Sequence, residues 1–166
     1  MGLIDFIKSA GKKLHIIHDE PAAPAAAAAG PTPEQVKDLN DRKHAAALAK
    51  LIADMGFKVD ELGVSANGDS VVLTGTADTQ ETREKVVLMV GNVEGIAHVD
   101  DQLKVSQAQP EATYYEVVKG DTLWKIAKES YGDGNKYPVI FEANRPMLKD
   151  PDEIYPGQKL RIPPLK

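Results

Sequence analysis

Residues 70–105 read SVVLTGTADTQETREKVVLMVGNVEGIAHVDDQLKV. This stretch decides the fold, because its apolar period changes twice. SVVLTGTA is rich in β-branched residues, the composition of a strand. Asp78 or Thr79 then opens a helix, with Val86, Met89, Val90 and Val93 on one face. Gly91 and Gly95 punctuate the end of that helix. Ala97, Val99, Leu103 and Val105 share odd positions, the period of a half-buried strand.

Upstream, Leu62, Val64 and Ala66 alternate with polar residues and run into Asn67-Gly68, a hairpin signal that Asp69 can lengthen. Before them, Thr32, Pro33 and Gln35 form a helix start: a cap, a first-turn proline and a capping-box glutamine. Val36, Leu39, Leu48, Leu51, Ile52 and Met55 predict the buried stripe of that helix. Residues 34–107 therefore read as α-β-β-α-β, a small sheet with helices on one face.

Further out, PAAPAAAAAGPTP at 21–33 lacks large apolar side chains and reads as a stiff tether. At about 3.1 Å per residue it spans roughly 40 Å when extended. Residues 1–20 precede it. Leu3, Ile7, Ala10, Leu14 and Ile17 recur at helical spacing, which predicts an N-terminal amphipathic helix. So short a helix needs a surface to lie on.

After a polar linker at 108–113, residues 114–166 form a second module. Asp121 or Thr122 can cap a helix whose buried face is Leu123, Ile126 and Ala127. Pro156-Gly157 is a turn feeding a final strand, which gives β-α-α-β. The fold class is therefore α+β, with two small domains behind an N-terminal helix.

Composition narrows the function. The net charge over 166 residues is −5, with no basic block, which argues against nucleic acid. No cysteine is present, so disulfides and thiolate metal sites are excluded. No run approaches the roughly 18 apolar residues of a transmembrane helix. MGLIDFIKSAGKKL breaks its apolar stretch with charges and lacks a small-residue cleavage site, so it does not read as a secretory leader. A cytoplasmic location is expected. His15 and His18 sit three apart without a third ligand, and Asp100-Asp101 lacks calcium-loop spacing. No nucleophile motif, phosphate loop or paired acid emerges, so an enzyme is not expected.

Two resemblances follow from these residues. VVLTGTA, the amphipathic helix and GNVEGIAHVDDQLKV resemble a BON domain, a module associated with lipid or small-ligand binding. The second module resembles a LysM domain through Tyr115, Val117, Gly120-Asp121-Thr122-Leu123, Ile126-Ala127, Ile140, Ala143-Asn144, Ile154, Pro156-Gly157-Gln158 and Leu160-Arg161-Ile162-Pro163. The whole order resembles the bacterial BON–LysM potassium-binding family, which implies a cytoplasmic potassium sensor. The alternative is an envelope protein that holds peptidoglycan through LysM and lipid through BON.

Under the potassium reading, the turn after the second helix is the place to look. Potassium suits a shell of neutral oxygens, including backbone carbonyls. A helix C-terminus leaves carbonyls unpaired and carries partial negative charge. Gly91, Val93 and Ile96 are the candidate donors, with Ile7 and Ala10 from the N-terminal helix completing the shell. The bland reading is that Gly95 is a C-cap glycine and Gly91 lets the helix fray. The LysM resemblance implies an N-acetylglucosamine groove at Gly120, Asp121, Thr122 and Leu123, with Asn144, Arg145, Pro146 and Ile154 opposite. Trp124 is either a sugar platform or a packing residue.

Overall fold

The computed structural model describes residues 2–6 and 32–165. They are α+β and contain two hydrophobic cores.

The first domain starts where the sequence says it should. Helix α1 (Pro33–Asp54) is capped by Thr32, whose hydroxyl accepts the Gln35 N–H while the Gln35 side chain accepts the Thr32 N–H. Both orphan donors are thereby satisfied. The buried part of its stripe is shorter than expected. Leu48, Leu51 and Ile52 are buried, whereas Val36 and Leu39 are 41% and 51% exposed. The helix outruns its sheet. Asp41 already accepts the N–H of Gly68 at the hairpin tip, so the turns before it have little strand beneath them.

Strands β2 (Val59–Asn67) and β3 (Ser70–Thr79) form the hairpin, paired from Asn67 and Ser70 outward with a bulge between Asp60 and Gly63. Helix α2 (Gln80–Gly91) is capped by Thr79, whose hydroxyl accepts the Thr82 N–H at 3.1 Å. Strand β4 (His98–Gln107) then returns parallel to β3. Val71, Leu73, Val99 and Leu103 from the sheet share one core with Leu48 and Ile52 of α1 and Val86 and Val90 of α2. Both helices therefore cover the same face.

The N-terminus departs from expectation. Gly2–Asp5 is a strand, β1, antiparallel to β4 and forming the outer edge of a sheet ordered β1-β4-β3-β2. The helical spacing begun at Leu3 is overridden by the open edge of β4, whose unpaired backbone groups gain partners from β1. Leu3 is 64% exposed, so its side chain does not drive this docking. The rest of the expected helix, residues 7–20, lies outside the described residues, as do His15, His18 and most of the tether.

Strands β5 (Thr113–Glu116) and β6 (Lys159–Ile162) pair antiparallel in the second domain. Between them lie α3 (Leu123–Tyr131), a single 3-10 turn and α4 (Tyr137–Ala143). Leu123, Ile126, Ile140, Leu148 and Leu160 form its core. The expected β-α-α-β order is present.

Helix α2 is buried more widely than its sequence stripe implies. Val86, Val87, Leu88, Met89 and Val90 are all buried. A helix buried on every side is covered on both faces. One cover is the sheet; the other is the second domain, whose Asn144, Arg145 and Met147 line a small cleft with Leu88.

Candidate functional site

The turn after α2 is built by three short backbone bonds. The Asn92 N–H donates to the Leu88 carbonyl at 2.9 Å, the Val93 N–H to Val90 at 3.1 Å, and the Ile96 N–H to Val93 at 3.2 Å. Gly95 has φ +91°, the left-handed conformation that lets the chain reverse at this point. Among the described residues, no backbone N–H donates to the Gly91 or Ile96 carbonyl. Val93 has one carbonyl lone pair engaged and one remaining.

Gly91 does something other than the fraying of the bland reading. It is the last residue of α2, it is buried, and the Phe6 ring packs where its side chain would be. The need is for close approach rather than for backbone freedom. Phe6 also donates its N–H to the Ala97 carbonyl at 2.7 Å. The end of β1 is thus held on both sides of the turn, at Gly91 and at Ala97. Ile7 follows Phe6 directly in the sequence, while Ile7 and Ala10 themselves lie outside the described residues.

The second domain meets the same turn through Asn92, which the sequence reading passed over. Asn92 is 1% exposed. Its Oδ1 accepts the Lys159 N–H at 3.0 Å, and its Nδ2 donates to the Lys159 carbonyl at 2.9 Å and to Met147 Sδ at 3.2 Å. Asn144 does the same two residues along β6. Its Oδ1 accepts the Arg161 N–H at 2.7 Å, and its Nδ2 donates to the carbonyls of Arg161 and Ile140 at 2.8 and 2.7 Å. Two side-chain amides thus take the backbone of alternate residues on β6, as a third strand would.

A buried ion pair closes the domain contact nearby. Glu84 receives the Arg161 guanidinium on one oxygen, and the Gln80 amide and the Ala112 N–H on the other. Both charged side chains are more than nine-tenths covered. Lys159 Nζ lies 5.3 Å from the centre of the Phe6 ring, linking β6 to the end of β1. Asp101 is committed elsewhere: it pairs with Arg83 at 2.8 Å and accepts the Leu103 N–H.

Comparison with known proteins follows this division of the chain. The BON domain model matches residues 35–107 and the LysM domain model residues 115–163. Over 164 residues the chain is 41% identical to the potassium binding protein Kbp of Escherichia coli O6:H1, covering 98% of this chain and 99% of that protein. The chain belongs to the Kbp family. It is also 36% identical over 113 residues to an uncharacterized protein of Deinococcus radiodurans, 61% of this chain and 44% of that one. A likeness to an esterase of Mycobacterium tuberculosis, 40% over 76 residues, covers 45% of this chain and 16% of that protein.

With the LysM domain assigned, its expected groove residues can be placed. Asp121 serves its own turn, accepting the Val118 N–H at 2.9 Å and the Tyr115 hydroxyl at 3.0 Å. Thr122 is the helix cap, accepting the Lys125 N–H at 3.2 Å, and Lys125 Nζ reaches the Gly120 carbonyl at 2.8 Å. Leu123 is buried in the core. Asn144 is buried and bonded as above, Arg145 lines the cleft beside Phe57 and Lys85, Pro146 follows it in the chain, and Ile154 packs against the core. Trp124 is 46% exposed, with its ring packed on Gly134 and under Lys128 Nζ at 5.2 Å. No helix among the described residues is long and apolar enough to cross a membrane.

Proposed function

We propose that this protein binds and senses potassium at the turn between α2 and β4. The Gly91, Val93 and Ile96 carbonyls supply donors from the BON domain, and the Ile7 and Ala10 carbonyls complete the shell. The observation that carries this reading is the double hold on Phe6. Its ring covers Gly91 and its N–H donates to the Ala97 carbonyl, which holds the residue after β1 against the turn. The likeness to Kbp, over nearly all of both chains, supports potassium as the ion.

The chemistry agrees. A weakly polarising monovalent ion suits neutral oxygens, and a helix end adds a partial negative charge. An ion here ties the N-terminal segment to the BON domain next to the LysM contact, so occupancy favours whichever domain arrangement binds it better. The cytoplasm, where potassium is the abundant monovalent cation, is the proposed location.

Calorimetry with potassium, sodium and calcium chlorides tests the proposal. Saturable potassium binding without comparable sodium binding is expected. Deleting residues 1–14 should weaken potassium binding more than tenfold; an unchanged affinity removes Ile7 and Ala10 from the site. The LysM match supports a second reading, binding of an N-acetylglucosamine glycan. Cosedimentation with peptidoglycan tests it, and a protein that stays in the supernatant argues against it.

A further inference from the structure

We infer that Asn92 is a positioning residue for the ion site, and that strand β6 of the LysM domain fixes the geometry of the BON turn through it. The inference rests on the potassium reading above. The Asn92 N–H belongs to the same planar peptide unit as the candidate Gly91 carbonyl, and the candidate Val93 carbonyl lies one residue beyond. Its backbone N–H ends the helix on the Leu88 carbonyl, and its side chain ends on the other domain. A side-chain amide held at both its oxygen and its nitrogen has no remaining torsional freedom. The Cα that carries it is fixed with it, and the Asn92 N–H bond to the Leu88 carbonyl orients the planar peptide that bears the Gly91 carbonyl.

The neighbours do not supply this hold. Gly91 has no side chain, and Gly95 adopts φ +91° with open space around it. Val93 and Ile96 are oriented within the BON domain itself, the Val93 carbonyl by the Ile96 N–H and the Ile96 peptide by the Ala97 N–H on the Asp69 carbonyl, so the Gly91 peptide is the one left to Asn92. Carbonyls that must converge on one ion within tenths of an ångström need a directional anchor. The LysM domain is therefore a structural part of the potassium site, although it contributes no ligand. Reciprocity requires that an ion that benefits from the Asn92 clamp also tightens it.

The experiment uses the full chain. Potassium chloride is titrated calorimetrically into the native protein and into Asn92→Ala, and thermal melting without potassium reports the fold of each. The expected result is at least a tenfold loss of potassium affinity, with a reduced preference over sodium, in a variant that still melts cooperatively. A selectivity change is the part that a general loss of stability would not produce. Because the variant can fail to fold, amide exchange of Lys159 in the native protein is measured with and without potassium. Slower exchange on adding potassium supports the inference. Unchanged Lys159 exchange, or a folded Asn92→Ala protein with native affinity and selectivity, overturns it while potassium binding stands. Absence of potassium binding by the native protein overturns the potassium reading itself.

Discussion

The Phe6 ring occupies the volume that a side chain at Gly91 would need. Two residues far apart in the chain thereby fit together as ring and gap. Gly91→Ala should force the ring away and cost about 1–3 kcal/mol, the usual penalty of overpacking. The cost should shrink when Phe6 is also cut to alanine, because the overlap is then gone. Denaturant unfolding of the two single variants and the double variant measures this coupling. Additive effects would show that the ring and the glycine do not meet.

Removing Glu84 should cost far more than removing a surface acid. Glu84→Ala leaves buried Arg161 with only the looser Glu81 contact at 4.0 Å, and breaking a buried pair typically costs about 3–5 kcal/mol. Asp54 pairs with Lys50 on the exposed side of α1, and Asp54→Ala should change stability by less than about 1 kcal/mol. Urea denaturation of both variants gives the comparison. Similar midpoints would mean that the domains are not held through Glu84.

Two carboxylates should titrate low. The Lys37 ammonium and the Gly68 N–H hold Asp41 below the ordinary value of 3.8, and hydrogen bonding from Thr82 does the same for Asp78. A depressed folded-state value means that each contribution is present above 3.8 and is lost as the pH falls through the lower, folded value. NMR titration of the carboxyl carbons should therefore place both midpoints below 3.8. Thr82→Val should move Asp78 back up and leave Asp41 where it was.

The helix caps give a sharper test of the LysM loop. Thr122→Ala should cost about 1 kcal/mol, the usual value for a lost N-cap. Asp121→Ala should instead loosen the turn before α3, releasing the Val118 N–H and the Tyr115 hydroxyl. Amide exchange separates them, with Lys125 exposed in the first variant and Val118 in the second.

How much was legible follows from the range of each interaction. The Thr32 box, the hairpin at Asn67-Gly68 and the period change across residues 70–105 are local, so adjacent residues carry the signal. Thr79 and Thr122 settle choices that the sequence left between an aspartate and the threonine after it, because cap geometry depends on which side-chain oxygen reaches the third N–H. Val86, Met89, Val90 and Val93 read as one stripe, without Val87 and Leu88, because nothing local says that a second domain covers the other side. Gly2–Asp5 read as helix because strand β4, almost a hundred residues away, supplies its partners. Asn92 carries no pattern at all. Its only signal is a polar residue embedded among apolar ones at a helix end, and its partner lies 67 residues further along.

Asn92 and Asn144 also bear on how this molecule stays apart from its copies. A two-stranded ribbon has open flanks that invite pairing with foreign chains. On β6 that flank is already sealed at Lys159 and Arg161 by the two asparagines. A stranger's extended segment would have to evict both amides before it could add to the ribbon, so the parts that fasten the domains together also guard against fibre growth.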